Sequence, residues 1–443
     1  MIMKKVLVVH CVDTEGPLYE SLEDTFLRLT EIFGIDALEP TRENLEKLQT
    51  GRVDLGSREE EVARVFSKSL LDYNDGWAKL DRMLARIMSD SFRLQFPDHR
   101  GNGWLYNWFC MDHLDYETNP RRRAVGMHVI FDHYRKWIKD TAARDRIHWH
   151  FHPQSTYREG EKLATSYVNS PNLYKIICRR IIERDWFPTA HRAGFHTERP
   201  DSHWFLEQWL PFDYSNQAYP GEQHPHRDLG AGRYGDWRWA PSDWSVYHPA
   251  HDHYQMSGTC RRKIARCLNI GTRLRLLTAE EVHNAFRRAS SGQTTILAFC
   301  NHDFREMSDD IAQVYRLLHE ASRSFLDVEF EYCDAIEAMR RATFTPEELR
   351  QERKLDFEPR LTGNVLSAQL TSGRLFGPQP FLAIKTRDRR FIHDNFDLVE
   401  LDKCWSYTFD SHTIPLSAVE TLGVASNDVF GNVCIKKCEV ASR

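Results

Sequence analysis

The chain has 443 residues and a formal net charge of −5 at pH 7. This length can bury a sizeable core and favours two domains, or one large barrel with a small added module. The weakly negative charge argues against nucleic acid or an anionic membrane as a partner. No apolar run approaches the length of a membrane span, and the N-terminal run is too short for a signal-peptide core. Since the ten cysteines are also scattered, we expect a cytoplasmic protein with reduced thiols.

The first predicted element is an apolar, valine-rich strand over residues 6–12, a pattern typical of a strand buried on both faces. Asp13 and Glu15 follow it directly, before Gly16-Pro17. Two acids just past an apolar strand indicate side chains that leave the core for a pocket. An ordinary turn rich in Asp, Gly and Pro is the alternative.

After a mainly helical stretch over residues 18–96, strands and helices alternate. The predicted strands cover residues 104–111, 146–152, 188–193, 212–215, 294–300 and 328–332. The predicted helices cover residues 124–139, 173–183, 201–210, 280–289, 309–325 and 334–342, and residues 216–258 have the composition of a loop. This alternation predicts parallel β/α units, in a barrel or in an open doubly wound sheet. No glycine-rich phosphate loop follows the first strand, which disfavours a nucleotide-binding fold.

Three histidines, His148, His150 and His152, occupy alternating positions in the predicted strand that ends at Pro153. In an extended segment all three imidazoles point to the same face. Converging imidazoles suit a metal ion such as Zn²⁺, whereas a His-rich surface strand is the alternative. Together with Asp13 and Glu15, they predict an acid/His metal centre built from two strand ends.

Other polar candidates fall at or near predicted strand ends: Asp112, Arg192, Asp213 and His302. In a β/α barrel the C-terminal strand ends form the rim of the active site. Trp244 lies with two further tryptophans in the loop-like stretch, where a flat ring suits a carbohydrate face, although core packing is the alternative. We expect Asp112, Asp213 and Trp244 to contact the substrate.

From about residue 355 the pattern changes to short runs separated by Gly, Pro, Asp and Asn. The predicted strands there cover residues 367–370, 381–385, 396–401 and 433–440. The chain therefore divides into a barrel domain, residues 1–346, and a small all-β module, residues 355–443. The module has no convergent acid/His set beyond His393 and His412, so we expect it to cover the barrel, extend the substrate groove or mediate homo-oligomerisation; simple packing is the alternative.

Five segments in order resemble the motifs of the polysaccharide deacetylase family, also called the NodB-homology family or carbohydrate esterase family 4, and the resemblance spans about residues 4–342. The five segments are residues 12–17, 148–153, 191–194, 242–244 and 297–303. The family implies a distorted (β/α) barrel with seven or so strands, here with a helical insertion after the first strand. It also implies a metal-dependent hydrolase that removes an acyl group from the nitrogen of a carbohydrate.

The resemblance assigns roles to individual residues. It implies that Glu15 binds the ion, one divalent metal with Zn²⁺ favoured, that Asp13 is the catalytic base, that Arg192 orients the base and that His302 is the general acid. The family spaces its two histidine ligands four apart, which selects His148 and His152 and leaves His150 to replace one of them or to support them.

A departure from the family in the first motif leaves a further alternative open. The family has adjacent aspartates before Gly-Pro, whereas here Thr14 separates Asp13 from Glu15 and takes the position of the base. Asp13 would then act as base from one position away, and an exchange of roles between the two acids is the alternative. The substrate implied is a cytoplasmic sugar or polysaccharide precursor. The alternative function is a barrel without hydrolytic activity that binds a sugar in surface polysaccharide biosynthesis.

Overall fold

A computed structural model describes residues 4–112, 116–139, 144–153, 166–220 and 235–441. Its centre is a closed barrel of seven parallel strands. The strands of the first 332 residues are β1 (Lys4–Thr14), β2 (Asn107–Asp112), β3 (Arg146–Phe151), β4 (Ala190–Ala193), β5 (Phe212–Asn216), β6 (Pro249–Ala250), β7 (His253–Ser257), β8 (Lys263–Asn269), β9 (Thr295–His302) and β10 (Val328–Tyr332). The ring runs β1-β2-β3-β4-β5-β8-β9 and closes on β1, while β6 and β7 form a separate hairpin.

Strand β1 joins three neighbours. One of its edges pairs with β9, and the other edge pairs with β10 along its first half and with β2 along its second half. The predicted strand at residues 328–332 therefore lies outside the ring. Its place in the ring is taken by β8, which was not predicted from the sequence. The seven residues of β8 are all buried, but Lys263 and Arg266 interrupt its apolar pattern.

The charged residues of β8 are buried because each has a specific partner. Arg266 donates both of its terminal nitrogens to the carboxylate of Glu281. The ammonium of Lys263 lies over the ring of Phe344, 3.2 Å from its centroid. A buried charge that is paired or stacked is tolerated, but the sequence pattern of such a strand no longer resembles an apolar run.

The two faces of β1 belong to different cores. Leu7, Val9 and Cys11 face the barrel interior, and Val6 and Val8 face the surrounding helices. This arrangement explains the uninterrupted apolar run, since a strand of a parallel barrel is covered on both faces. It also places the odd-numbered residues of β1, including Asp13, inside the barrel.

Helices fill the insertion after β1 and surround the barrel. Those of the insertion are Leu22–Phe33, Arg42–Gln49, Glu59–Val65, Lys68–Leu71, Trp77–Ile87 and Asp90–Arg93. The later ones are Val129–Lys139, Leu173–Arg184, Pro200–Trp209, Ala279–Ser290, Ser308–Ser324, Ala335–Thr343 and Pro346–Gln351. In the described part of the chain, no helix has both the length and the apolar character that crossing a membrane requires.

The C-terminal residues form two four-stranded antiparallel sheets. Their strands are β11 (Asp356–Thr362), β12 (Val365–Ser372), β13 (Phe381–Thr386), β14 (Phe391–Asp394), β15 (Asp397–Glu400), β16 (Cys404–Thr408), β17 (Val419–Asn427) and β18 (Val433–Glu439). Side chains from both sheets share one core around Trp405 and Leu422. The sheet that contains β13 and β17 packs on helix Leu173–Arg184, where Phe381 and Ala425 join the core of that helix.

Candidate metal centre

A cavity of about 310 Å³ opens at the C-terminal ends of the barrel strands, where both acids of the first motif lie. Asp13 and Glu15 are two positions apart, so both point toward the barrel axis. Thr14 points away, and its hydroxyl donates to the carbonyl of Val12 at 2.9 Å. Separation of the two acids by one residue is therefore what places both carboxylates in the same cavity.

Arg192 binds Asp13 through both carboxylate oxygens. The Nε–Oδ1 distance is 2.6 Å and the Nη2–Oδ2 distance is 3.0 Å, and both side chains are buried. Burial by itself raises the pKa of Asp13, but the charge of Arg192 and the hydrogen bonds from Arg192 oppose it and outweigh it. The pKa of Asp13 is therefore held well below its usual range, and the carboxylate is ionised.

Glu15, His150 and His152 form a buried group that could hold a metal ion, since one ligand atom of each lies within 4.8 Å of the others. The two Nε2 atoms of His150 and His152 are 2.9 Å apart, and Nε2 of His152 is 3.7 Å from Oε1 of Glu15. Two nitrogens on one tetrahedral Zn²⁺ would be roughly 3.3 Å apart, given Zn–N bonds of about 2.0–2.1 Å. The spacing of the group therefore suits a small divalent ion.

The tautomer of His150 also fits a metal ligand. Its Nδ1 lies 3.0 Å from the carbonyl oxygen of Arg192. A carbonyl oxygen can only accept, so Nδ1 carries the proton and Nε2 presents its lone pair toward His152 and Glu15. A metal-binding histidine is commonly oriented in this way by a hydrogen bond from its other ring nitrogen.

Gly194, directly after β4, allows His152 to reach the group. A Cβ on Gly194 would lie 2.6 Å from the carbonyl oxygen of Phe151 and 2.7 Å from the His152 ring. The next residues, Phe195 and His196, have φ values of 55° and 56°. Such backbone costs a non-glycine residue of order 1–3 kcal/mol and is often found at functional sites. The ring of Phe195 contacts His152, with centroids 4.6 Å apart.

Asp303 anchors the backbone that carries Glu15. Its carboxylate accepts hydrogen bonds from the backbone N–H of Glu15 at 2.8 Å, from that of Gly16 at 2.9 Å and from the hydroxyl of Tyr134 at 2.7 Å. Burial raises the pKa of Asp303 to about 7, although these hydrogen bonds act in the opposite direction. The segment of residues 297–303 therefore holds the backbone of residues 12–17 in place.

His302 lies beside the carboxylates of Asp13 and Glu15. Its Nε2 is 4.0 Å from Oδ2 of Asp13 and 3.8 Å from Oε1 of Glu15. Burial lowers the pKa of His302 to about 4, against the opposing charges of Glu15 and Asp13. The structure thus brings His302 and Arg192 into the site of the acids, as the sequence predicted for a barrel.

A second set of possible ligand atoms comes from Asp13, His196 and Cys300. Nη2 of Arg192 lies between them, 3.0 Å from Oδ2 of Asp13, 3.2 Å from Nδ1 of His196 and 3.0 Å from Sγ of Cys300. The guanidinium of Arg192 already occupies the space between these three residues, which leaves no room there for a metal ion. Among the described residues, Glu15, His150 and His152 are therefore the group that could hold a metal ion.

His148 does not join the ligand group, contrary to the prediction that it pairs with His152. It lies at the N-terminal end of β3, where its Nε2 is 3.1 Å from Oδ1 of Asn107 and 3.5 Å from Oδ2 of Asp334. The alternation in sequence does place His148 on the same face as His150. However, four residues of extended strand span about 13 Å, too far for one ion to bind His148 and His152 along a straight strand.

The three residues predicted to contact substrate lie in structural contacts outside the cavity. Asp112 pairs with Arg180 and accepts from Trp149 Nε1 at 3.0 Å. Asp213 pairs with Arg262 at 2.8 Å. All four of these polar side chains are buried, on the outer side of the barrel wall. Both aspartates occupy strand positions that alternate with interior residues, so they face the helices rather than the cavity.

The prediction that Trp244 contacts the substrate is also wrong, because its ring is buried. It is 2% exposed, donates from Nε1 to the carbonyl of Glu281 at 3.1 Å and stacks against Arg266. The aromatic ring that does line the cavity near the ligand group is Phe195, from the segment after Gly194. The one sequence feature that points to Phe195 is its position next to the third motif.

Arg123 is a site residue that the sequence analysis missed. Its Nη1 donates to Oε2 of Glu15, and both side chains are buried. Arg123 ends the run Arg121-Arg122-Arg123, directly before the predicted helix at residues 124–139, and the sequence analysis assigned it no role. The oxygen of Glu15 that faces His152 is Oε1, so Arg123 occupies one carboxylate oxygen and leaves the other toward the histidines.

Comparisons of the chain with models of protein families, with curated proteins and with solved structures found no match. A function therefore has to be inferred from the residues at the strand ends and from the chemistry that they can perform together.

Proposed function

We propose that this protein is a metal-dependent hydrolase that removes an acyl group from the nitrogen of an amino sugar, in a sugar or polysaccharide precursor. One observation carries the proposal: Glu15 and His150, which form a possible ligand group with His152, line the same cavity as His302 and as Asp13, the aspartate that Arg192 binds. The motif resemblance to polysaccharide deacetylases supports the choice of a carbohydrate amide as substrate.

The donor set fits a divalent ion. Two neutral imidazoles and one carboxylate are a common set for catalytic zinc, which keeps a further position for water or substrate. A bound ion would supply Lewis-acid polarisation of the amide carbonyl and would lower the pKa of a water molecule toward neutrality. Asp303 and Gly194 hold the backbone and the ring of two of these ligands in place.

Asp13 is the base in this proposal. Its carboxylate is ionised, and Arg192 fixes both of its oxygens, so the side chain is oriented before substrate binds. It accepts a proton from the attacking water as the oxygen of that water bonds to the acyl carbon. A base that is positioned in this way contributes about 10²–10⁴-fold to a rate.

His302 delivers a proton to the leaving amine as the C–N bond breaks. Because its pKa is lowered to about 4, His302 is neutral at neutral pH and must first receive the proton that it donates. The proton taken up by Asp13 is available for this purpose, since the two side chains are 4.0 Å apart. One water is consumed: its oxygen ends on the acyl product and one of its protons on the amine.

The alternative function is a barrel that binds a sugar without hydrolysing it. The ion pair between Arg123 and Glu15 favours this alternative, because a cation of the chain competes with the metal for that carboxylate. Hydrolysis requires that the ion still bind through Oε1 of Glu15 and the two histidines.

Acetate release from N-acetylated hexosamines and their oligomers would test the proposal, using the full chain loaded with Zn²⁺. We expect acetate and free amine in equal amounts, and about 10²–10⁴-fold slower release from the Asp13→Asn variant. Sugar binding by the loaded protein without acetate release would support the alternative function. An inability of the chain to bind Zn²⁺ at neutral pH would contradict the hydrolase.

A further inference from the structure

One wall of the cavity is formed where the helical insertion meets the segment after β9. Tyr73 and Arg305 pair as an isolated antiparallel bridge. The backbone N–H of Asn74 donates to the carbonyl of Phe304 at 2.7 Å, and its side chain donates to the carbonyl of Asp303 at 2.8 Å. The insertion therefore attaches to the loop that follows His302, and it is part of the active-site wall.

This wall is rich in guanidinium groups. Arg28 and Arg121 both bind the buried carboxylate of Glu20, and Arg121 also donates to the hydroxyl of Tyr73 at 2.9 Å. Arg305 lies over the same tyrosine, with Cζ 5.4 Å from the ring centroid. The positive charges of the three arginines lower the pKa of Tyr73, although its burial acts in the opposite direction. All three arginines line the cavity, together with the acids Asp24 and Glu31.

Arg305 forms no direct ion pair with a carboxylate among the described residues, although its charge opposes the burial that raises the pKa of Asp310 to about 6. Its hydrogen bonds go to the carbonyl oxygens of Leu70 at 3.1 Å and Gly271 at 3.4 Å and to the side chain of Tyr73. Its guanidinium also stacks on Phe304, with Cζ 4.9 Å from the ring centroid. Stacking holds the plane of a guanidinium while its N–H edge stays available for a planar or tetrahedral oxyanion.

Thr272 supplies a second donor at the same place. It lines the cavity next to Gly271, and its buried hydroxyl has no hydrogen-bond partner within the described ranges. A buried hydroxyl without a partner is uncommon in a native structure. An arginine without a direct carboxylate ion pair and a hydroxyl without a partner, on adjacent parts of one cavity, match the donors that an oxyanion requires.

We propose that the substrate carries an oxyanion, a phosphate or a carboxylate, which Arg305 and Thr272 bind. This inference rests on the proposed function, and it narrows the substrate class to an anionic N-acyl sugar. The subsite lies close to the proposed general acid His302. Arg305 stacks on Phe304, and the ring of Phe304 contacts that of His302, with centroids 4.7 Å apart. The anion is therefore on the acylated sugar itself or on the group attached to it.

Binding to the metal-depleted full chain tests the subsite without requiring hydrolysis. The probes are inorganic phosphate, N-acetylglucosamine 1-phosphate, an N-acetylhexosaminuronic acid and neutral N-acetylglucosamine, each titrated by calorimetry. We expect either the sugar phosphate or the uronic acid to bind about ten- to a hundredfold more tightly than neutral N-acetylglucosamine, the gain in affinity typical of one charged hydrogen bond. A preference for the phosphate or for the uronic acid identifies the source of the anion.

The variants Arg305→Gln and Thr272→Val should each reduce this preference, and Arg305→Lys should retain part of it. Arg350→Gln, which changes an arginine that is 74% exposed on helix Pro346–Gln351, is the matched control. Near-ultraviolet circular dichroism checks that each variant is folded, and Thr272→Val gives an independent result if Arg305→Gln is not.

Equal binding of anionic and neutral sugars, or an unchanged preference in folded Arg305→Gln, would overturn the inference. Its failure is distinguishable from failure of the proposed function. Anion-dependent binding that never leads to hydrolysis would leave the subsite standing and reject the hydrolase. Hydrolysis of neutral and anionic sugars at the same rate would keep the hydrolase and reject the subsite.

Discussion

Arg192 and Asp13 form a bidentate ion pair inside the barrel, at 2.6 Å and 3.0 Å, although 179 positions separate them in the chain. Both are buried, so neither charge is compensated by water. The Nη1 of Arg192 also donates to the carbonyl of Tyr214 at 2.6 Å. This network joins β1, β4 and β5 at the level of the candidate metal centre, and it holds the proposed base in one orientation.

The first prediction concerns this ion pair. Arg192→Gln should lower the free energy of unfolding by about 3–5 kcal/mol, because it leaves the carboxylate of Asp13 buried without its partner. The double variant Arg192→Gln with Asp13→Asn should recover part of that loss, since no buried charge remains. Urea unfolding of the wild type, both single variants and the double variant measures the coupling. Purely additive losses would show that the two side chains do not stabilise each other.

The second prediction separates the roles of the two acids. Asp13→Asn should keep the bound ion and lower the rate of acetate release by about 10²–10⁴-fold, the usual contribution of a general base. Glu15→Gln should instead lose the ion, because it removes the only carboxylate of the ligand group. Elemental analysis and acetate release are measured on the same preparations. Loss of the ion in Asp13→Asn with its retention in Glu15→Gln would mean that the roles are exchanged.

The third prediction tests which histidines bind the ion. We expect about one Zn²⁺ per chain in the wild type after loading and dialysis, and little in His150→Ala or His152→Ala. His148→Gln is the matched control, because His148 lies on the same strand but contacts Asn107. It should keep its ion. Retention of Zn²⁺ by the double variant His150→Ala with His152→Ala would refute the assignment.

The fourth prediction uses Gly194. A methyl group there would lie 2.7 Å from the ring of His152, so Gly194→Ala should displace this ligand and weaken Zn²⁺ binding by about 10–100-fold, the usual effect of disturbing the support of a metal ligand. Gly76→Ala is the control, since nothing lies within 4 Å of the added atom. Competition with a chelator of known affinity gives both dissociation constants. Equal values for the two variants would show that His152 tolerates the contact.

The fifth prediction is a pH dependence of stability that arises at His10, outside the barrel interior. His10 accepts from Trp104 Nε1 at 2.9 Å and donates to Oδ1 of Asn301 at 2.9 Å, so the ring is neutral. Burial lowers the pKa of His10 to about 4, against the hydrogen bond to Asn301. Between pH 6.5 and 4 the unfolded chain therefore binds a proton that the folded chain does not. The stability present above pH 6.5 decreases as the pH falls, by roughly 3 kcal/mol from this group.

Replacement of His10 should reduce that pH dependence. We expect His10→Gln to show a smaller loss of unfolding free energy between pH 7 and pH 4 than the wild type, as measured by urea unfolding at several pH values. His412→Gln is the control, because His412 is exposed in the C-terminal sheets. If both variants follow the wild-type curve, His10 does not titrate on unfolding.

Much of the barrel and part of the site could be predicted from the sequence, because both depend on local periodicity. Alternation of side chains places His148, His150 and His152 on one face, and it places Asp13 and Glu15 together. The alternation of strands and helices likewise predicts a parallel β/α architecture, and the ring of seven parallel strands agrees with it. Each of these features involves residues only a few positions apart.

The tertiary structure decided what depends on strand order and on partners distant in sequence. The strand β8 is part of the ring, but its charged residues Lys263 and Arg266 break the apolar pattern by which a buried strand is predicted. These charges are tolerated because Phe344 and Glu281, from other elements, contact them. Asp112 ends β2 as predicted, whereas Asp213 is the second residue of β5, and arginines on the outer side of the barrel bind both.

The same distinction applies to the metal centre. Side-chain alternation alone predicts that the three histidines lie on one face of the strand. The rise of an extended chain along four residues keeps His148 too far from His152 for both to bind one ion. Gly194 and Arg123 come close to the ligand group only when the chain folds. A sequence pattern specifies the direction of a side chain relative to its own strand. The distance between ligands from different strands depends on how those strands pair and on which loop residues pack between them.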